Sequence, residues 1–212
     1  SDADVLCSRL TEKLNLPHGH RLVLAHMPLL TVCLEGLGKL AHKFPNIAGT
    51  SINYLQDFLI APSPILLKLH RHHSDFLAPQ TTISGGDATV APSATQSAFD
   101  RLRDTAIDNL CVALKAGLTV EPNTVLAFIS SISSREKAGK DRFTDSDVAV
   151  ISHTVVVSLG TVAVALKDSP KTTETILHQC LLQRFCRPPS PLDTLIVDQL
   201  GCILLVKNDV RY

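Results

Sequence analysis

The chain has 212 residues, enough for one large domain or a short repeat array, with 45% hydrophobic and only 4% aromatic residues and no Trp. Lys plus Arg equals Asp plus Glu at 20 each, so no global field draws in nucleic acid or anionic lipid. The apolar composition, dominated by aliphatic residues, suits stacked helices, and the charged amino terminus lacks a signal-peptide layout; the absence of an initial Met suggests a piece of a longer chain.

In chain order, residues 3–14 form an amphipathic helical pattern closed by Asn15 to Gly19, and residues 20–43 a longer helix interrupted at Pro28. The main apolar face of that helix is Leu30, Cys33, Leu34, Leu37 and Leu40. Pro45 to Ile60 reads as its return helix, and Ser63-Pro64 starts another that runs to about Phe76. Residues 77–96 have no apolar periodicity and are rich in Thr, Ser, Ala, Gly and Pro, which reads as a flexible linker. Helical order is expected again from Ser97, with the stripe Phe99, Leu102, Ala106, Ile107, Leu110 and Leu114, ended by a C-terminal glycine at Gly117. Pro122 then opens a helix that buries Val125, Phe128, Ile129 and Ile132, and Ser133 to Arg142 reads as a charged loop. Thr144 to Asp147 offer capping residues for a long helix beyond.

The stretch 158–205 reads as three helices separated by Asp168-Ser169-Pro170 and by Arg187-Pro188-Pro189-Ser190-Pro191. It parallels an earlier stretch. Leu37-Gly38-Lys39-Leu40-Ala41, Pro45 and Pro62-Ser63-Pro64 match Leu159-Gly160-Thr161-Val162-Ala163, Pro170 and Pro189-Ser190-Pro191. A Gly-x-x-Ala step lets two helices approach closely in each copy, a proline opens the return helix, and Pro-Ser-Pro closes the unit. Helix pairs on this scale suit HEAT or armadillo-like repeats. The expected fold is therefore all-α, an α-solenoid of antiparallel helix pairs: repeats in 1–76, the linker 77–96, and further repeats of the same solenoid in 97–212.

Val148 to Leu166 carry no Asp, Glu, Lys or Arg over 19 residues, nearly a membrane span. A central solenoid helix, apolar on most sides because neighbours cover it, accounts for the same run, and no transmembrane segment is expected. The six cysteines, Cys7, Cys33, Cys111, Cys180, Cys186 and Cys202, lie in apolar helical patterns without C-x-x-C spacing and read as buried thiols of a reducing compartment.

Chemistry-bearing motifs are sparse. Ser84-Gly85-Gly86-Asp87 has no helix after it to cradle a phosphate, and no zinc-protease, nucleophile-elbow or kinase catalytic-loop pattern occurs. His70-Arg71-His72-His73 lacks Cys or acidic partners at ligand spacing and reads as a solvated basic helix end. His178 and Cys180 point to different faces of their helix and do not share a metal with Cys186. No catalytic, cofactor-binding or metal-ligating residue is assigned. The expectation is a non-catalytic helical module, with a lipid- or membrane-contacting module at His70 to His73, Phe76 and Leu77 as the alternative.

Segments 34–69, 99–132 and 158–205, with strings such as RFCRPPSPLDTLIVDQLGC, resemble the N-terminal helical region of the large type III phosphatidylinositol 4-kinases, the alpha branch of that lipid-kinase family. The resemblance implies an α-solenoid remote from a kinase domain that, with ATP and Mg, phosphorylates phosphatidylinositol on its 4-hydroxyl. It implies a cytoplasmic protein recruited peripherally to the plasma membrane. The implied partners are the rest of the kinase chain, a tetratricopeptide-repeat adaptor, hyccin and a palmitoylated membrane anchor, with self-association also open. The family's catalytic and ATP-binding motifs have no counterpart in these residues, so no site residue is carried over.

Overall fold

The computed structural model describes residues 1–15, 24–60, 64–77, 94–185 and 187–209, without side-chain detail for 64, 72–77, 94–96 and 207–209. The first helix, α1 (Asp2–Leu14), begins on a reciprocal capping box in which the Ser1 hydroxyl accepts from the Asp4 N–H and the Asp4 side chain reaches back. Helix α2 (Met27–Lys43) starts with Pro28 in its first turn, so this proline opens the helix where an interruption is expected from sequence. Pro45–Ile47 form a 3-10 turn leading into α3 (Ala48–Leu59), and α4 spans Pro64–Leu77.

Helix α5 (Ala94–Leu118) begins three residues before Ser97, and residues 78–93 of the expected linker lie outside the described residues. No described glycine has a positive φ, so Gly117 is no left-handed cap. It lies inside α5, where a Cβ would come 2.7 Å from Thr124 Cγ2. Helix α6 runs Thr124–Lys140, with Pro122 in the turn before it. The charged segment expected as a loop from Ser133 is therefore helical as far as Lys140, because two of its charges are turned inward against neighbouring elements. Helix α7 (Asp145–Ala165) is capped by the Thr144 hydroxyl accepting from the Asp147 N–H. After it come α8 (Pro170–Thr175), a π turn (Ile176–Leu181), a 3-10 turn (Leu182–Arg184) and α9 (Pro191–Asp209).

All described secondary structure is helical, and the fold is all-α. Helix α5 is the hub: it packs against α2, α3, α4, α6 and α7. Its fully buried Leu102, Ala106, Leu110, Ala113 and Leu114 follow the helical period that brings them to one side. Helices α1, α2, α5, α7 and α9 contact one another in that sequence, while α3 meets α6. The contiguous core extends from Cys7 on α1 to Ile203 on α9.

Two glycines set how closely this row packs. A Cβ on Gly38 of α2 would lie 2.9 Å from Asn109 Cγ of α5, and one on Gly160 of α7 2.7 Å from Gln199 Cδ of α9. A glycine inside a helix costs about 1 kcal/mol relative to Ala. Here the close crossing offsets that cost. The Gly-x-x-Ala steps thus do bring helices together, but each faces a helix further along the chain, α5 or α9, and not its own return helix.

Candidate functional site

Charged side chains are buried at two junctions. On α4, Arg71 donates to Asp147 on α7 through both Nε–Oδ1 (3.2 Å) and Nη2–Oδ2 (2.7 Å). The Asp147 carboxylate is only 2% exposed, and Arg71 with the Thr144 hydroxyl holds its pKa below the usual carboxylate range. Beside it, His70 Nε2 lies 3.4 Å from Ser146 Oγ. The basic tract is thus no free helix end at these two residues: Arg71 is the counter-ion that a buried carboxylate needs. His72, His73, Phe76 and Leu77 have no described side chains.

A cleft of about 350 Å³ opens next to this junction, lined by His70, Phe99, Arg103, Ser146, Val150 and His153. Burial, and then the charge of Arg103, pushes the His153 pKa down, so its imidazole is neutral at pH 7. Arg103 is itself held by Asp104 at 3.0 Å and Asp100 at 3.8 Å. The cleft combines a neutral imidazole with an already paired guanidinium, a poor match for an anion.

The second junction centres on α6, where consecutive residues reach to different neighbours. Arg135 pairs with Asp57 of α3, and Ser131 donates to the buried Gln56 carbonyl at 2.9 Å. Glu136 forms a two-pronged pair with Arg184 of the 3-10 turn, both contacts 2.7 Å. Glu136 is 8% exposed and Arg184 18%. These contacts join α3, α6 and the segment after α8 by directional, charge-assisted bonds.

The thiols are chemically quiet. Burial raises the pKa of Cys7, Cys33, Cys111 and Cys180, with Cys111 pushed up to about 12, so all four are protonated at neutral pH. Cys202 departs from the sequence expectation because it faces solvent on α9, and Cys186 lies outside the described residues. His178 is exposed and Cys180 buried, so the two do point apart. Among the described residues no three His, Cys, Asp or Glu side chains gather at a metal-binding distance. The Ser84 to Asp87 segment lies outside the described residues.

Helix α7 is long and apolar enough to cross a bilayer. Its Ile151, Val155, Val156, Leu159, Val162 and Ala163 are buried within the helical array, against α5, α6, α9 and the π turn, which is how a central core helix meets the same criteria.

These junctions tie the helices of an all-α array together by ion pairs, of which Arg184–Glu136 is the most buried. Residues 22–212 match the family defined as the PI4-kinase N-terminal region, and the chain belongs to that family. The resemblance drawn from the RFCRPPSPLDTLIVDQLGC region therefore holds at the level of the family.

Proposed function

We propose that this chain is a non-catalytic scaffold segment of a phosphatidylinositol 4-kinase, a short α-solenoid whose surfaces position the kinase region and its accessory subunits. The family match over residues 22–212 carries this reading. The row from α1 through α2, α5 and α7 to α9, with α3, α6 and the post-α8 segment beside it, supports the solenoid description. The ion pairs at α6 favour a rigid spacer, because a scaffold transmits position only when its repeats do not shear.

The whole enzyme would convert phosphatidylinositol to phosphatidylinositol 4-phosphate with ATP and Mg. It would act on the cytoplasmic side of the plasma membrane, recruited by the tetratricopeptide-repeat adaptor, hyccin and a palmitoylated anchor. The lipid-contacting alternative is weaker because Arg71, a cation it would use, is committed to Asp147. Mixing the purified chain with the remaining kinase polypeptide, and separately with the adaptor subunits, tests the scaffold reading by co-elution. Co-elution with either is expected; elution alone in both mixtures, from a chain with a helical circular dichroism spectrum, overturns it.

A further inference from the structure

Helices α3 and α6 are tied to each other by Gln56–Ser131 and Asp57–Arg135, both on the C-terminal half of α3. On the N-terminal side of these ties they leave a cleft of about 350 Å³, within the range of ligand pockets. Its floor is Ile52 and Phe128, 6% and 2% exposed, with the end of α5 behind them at Gly117. One wall is Asn46, Gly49 and Asn53; the other is Glu121, Thr124 and Ala127. A Cβ on Gly49 would meet nothing within 4 Å, so the missing side chain serves no close helix crossing and keeps the cleft open. Gly201 is equally bare, and what distinguishes Gly49 is its place in the cleft wall.

Side-chain amides dominate the polar lining. Asn46 and Asn53 are exposed, and neither amide has a hydrogen-bond partner among the described residues. Gln56 is fully buried; it accepts from Ser131 at 2.9 Å and donates one N–H to the Phe128 carbonyl at 3.5 Å. Its second N–H has no partner among the described residues. An amide donates and accepts along one edge, which complements a peptide group. Glu121 is the one charged side chain among the described lining residues. Its carboxylate accepts the Asn123 N–H at 3.3 Å and makes no ion pair among the described residues. A helical ligand has its own backbone bonds satisfied and offers these amides little, whereas an extended segment leaves N–H and C=O groups free along its length.

We propose that this cleft binds an extended, basic peptide segment of a partner protein. Asn53 pairs with a backbone N–H and C=O of the segment, and the free N–H of Gln56 donates to a second carbonyl. One aliphatic side chain enters beside Gly49 and rests on Ile52 and Phe128, and a neighbouring Lys or Arg meets Glu121. The Glu121 charge sets the sign of the partner, since an acidic segment is repelled there. The site stands on the geometry of the cleft and does not depend on the scaffold reading.

The experiment pans a phage-displayed random-peptide library against the purified chain, then titrates a synthetic peptide of the enriched sequence by calorimetry. Enrichment of an aliphatic residue with Lys or Arg close by is expected. Gly49→Leu fills the cleft, and its Cβ meets open space in the chain itself. Its melting temperature should not fall, yet peptide affinity should drop about tenfold or more. Asn53→Ala should weaken binding about fivefold. Glu121→Gln, which keeps an acceptor for the Asn123 N–H, should also weaken binding and flatten its salt dependence. Failure to enrich any peptide overturns the proposal and leaves the co-elution test of the scaffold reading untouched. An acidic consensus, or a peptide that binds Gly49→Leu as tightly as wild type, overturns it too. Binding that falls as the chain is concentrated puts a second copy in the cleft and overturns it as well.

Discussion

After α2, Pro45 opens a 3-10 turn and then a regular helix; after α7, Pro170 opens a short helix that widens into a π turn and then tightens into a 3-10 turn. The two return segments begin with the same residue in the same role, and the packing each must satisfy separates them. Helix α3 buries Ala48, Ile52, Leu55 and Leu59, an α-helical period, against α5, α2 and α1. The second return touches both α7 and α9, and it buries Ile176 and Leu181, five residues apart, each at 0% exposure. A π turn advances less per residue than an α-helix and brings such a pair nearer to one side. A shared helix–proline–helix pattern therefore fixes where a return begins, while the spacing of the residues it buries goes with how it winds.

The polar contacts follow the same division. The first return is tied to α6 by Asp57, itself 52% exposed, whereas the second is tied by a pair in which Glu136 is 8% and Arg184 18% exposed. Arg184→Met should thus have the largest effect, about 3–5 kcal/mol, because it strands a buried carboxylate. Replacing both Arg184 and Glu136 by Met should restore most of that stability. Asp57→Ala should cost under about 1 kcal/mol, since that partner is half in water. Urea unfolding of the three variants checks the comparison, and equal losses at Asp57 and Arg184 would break it.

The same charges show why part of the molecule was illegible in the sequence. Thr144, Pro170 and the Phe99–Leu114 stripe mark helices correctly because capping and apolar period are local properties, whereas Pro28 opens a helix where the sequence suggests an interruption. From sequence, helix α6 beyond Ser133 looks like a loop because Arg135 and Glu136 interrupt the apolar period, and only tertiary contacts reveal that they point at partners. Arg71 was hidden for the same reason: Asp147 lies 76 residues away. The central role of α5 was equally non-local. Its stripe was visible, but the five helices that cover it were not. At Gly38 and Gly160 the close approach was legible and its direction was not, since a small residue permits a neighbour without naming it.

The two glycine crossings sharpen the comparison at the next level. Gly38→Leu and Gly160→Leu should each cost about 1–3 kcal/mol by overpacking. Asn109→Ala should relieve the first and Gln199→Ala the second, each rescuing only its own crossing, as double-mutant cycles in chemical denaturation would show. Cross-rescue would mean that the row deforms as one body.

Arg71→Ala should cost about 2 kcal/mol at pH 7, the loss of a charge-assisted bidentate bond from a mostly exposed partner. Its pH dependence follows from Asp147, whose folded pKa is lowered first by Arg71. A lowered folded pKa contributes stability above the unfolded value of about 3.9, and that contribution is lost as pH falls through the folded value. The gap between wild type and Arg71→Ala should then be constant near neutrality and close below about pH 4. A gap that stayed open below about pH 3 would break this account of Asp147.

The smallest expected difference separates the two capped helices. Thr144 and Ser1 both accept a bond from the backbone N–H three residues on, at 3.3 and 3.4 Å. Each hydroxyl satisfies one backbone donor, and removal of either should expose that orphan at a cost of about 1 kcal/mol. Their settings differ. The first turn of α7 also holds Asp147, so loss of Thr144 loosens the backbone that aims a buried carboxylate at Arg71. Helix α1 begins at the exposed Ser1 and can fray there without disturbing Cys7 or Leu14. Thr144→Ala should therefore cost the full 1 kcal/mol or about that, and Ser1→Ala only a few tenths. Thr144→Ala combined with Arg71→Ala should cost less than the sum of the two. Strict additivity in thermal or urea unfolding would show that the cap and the ion pair act independently.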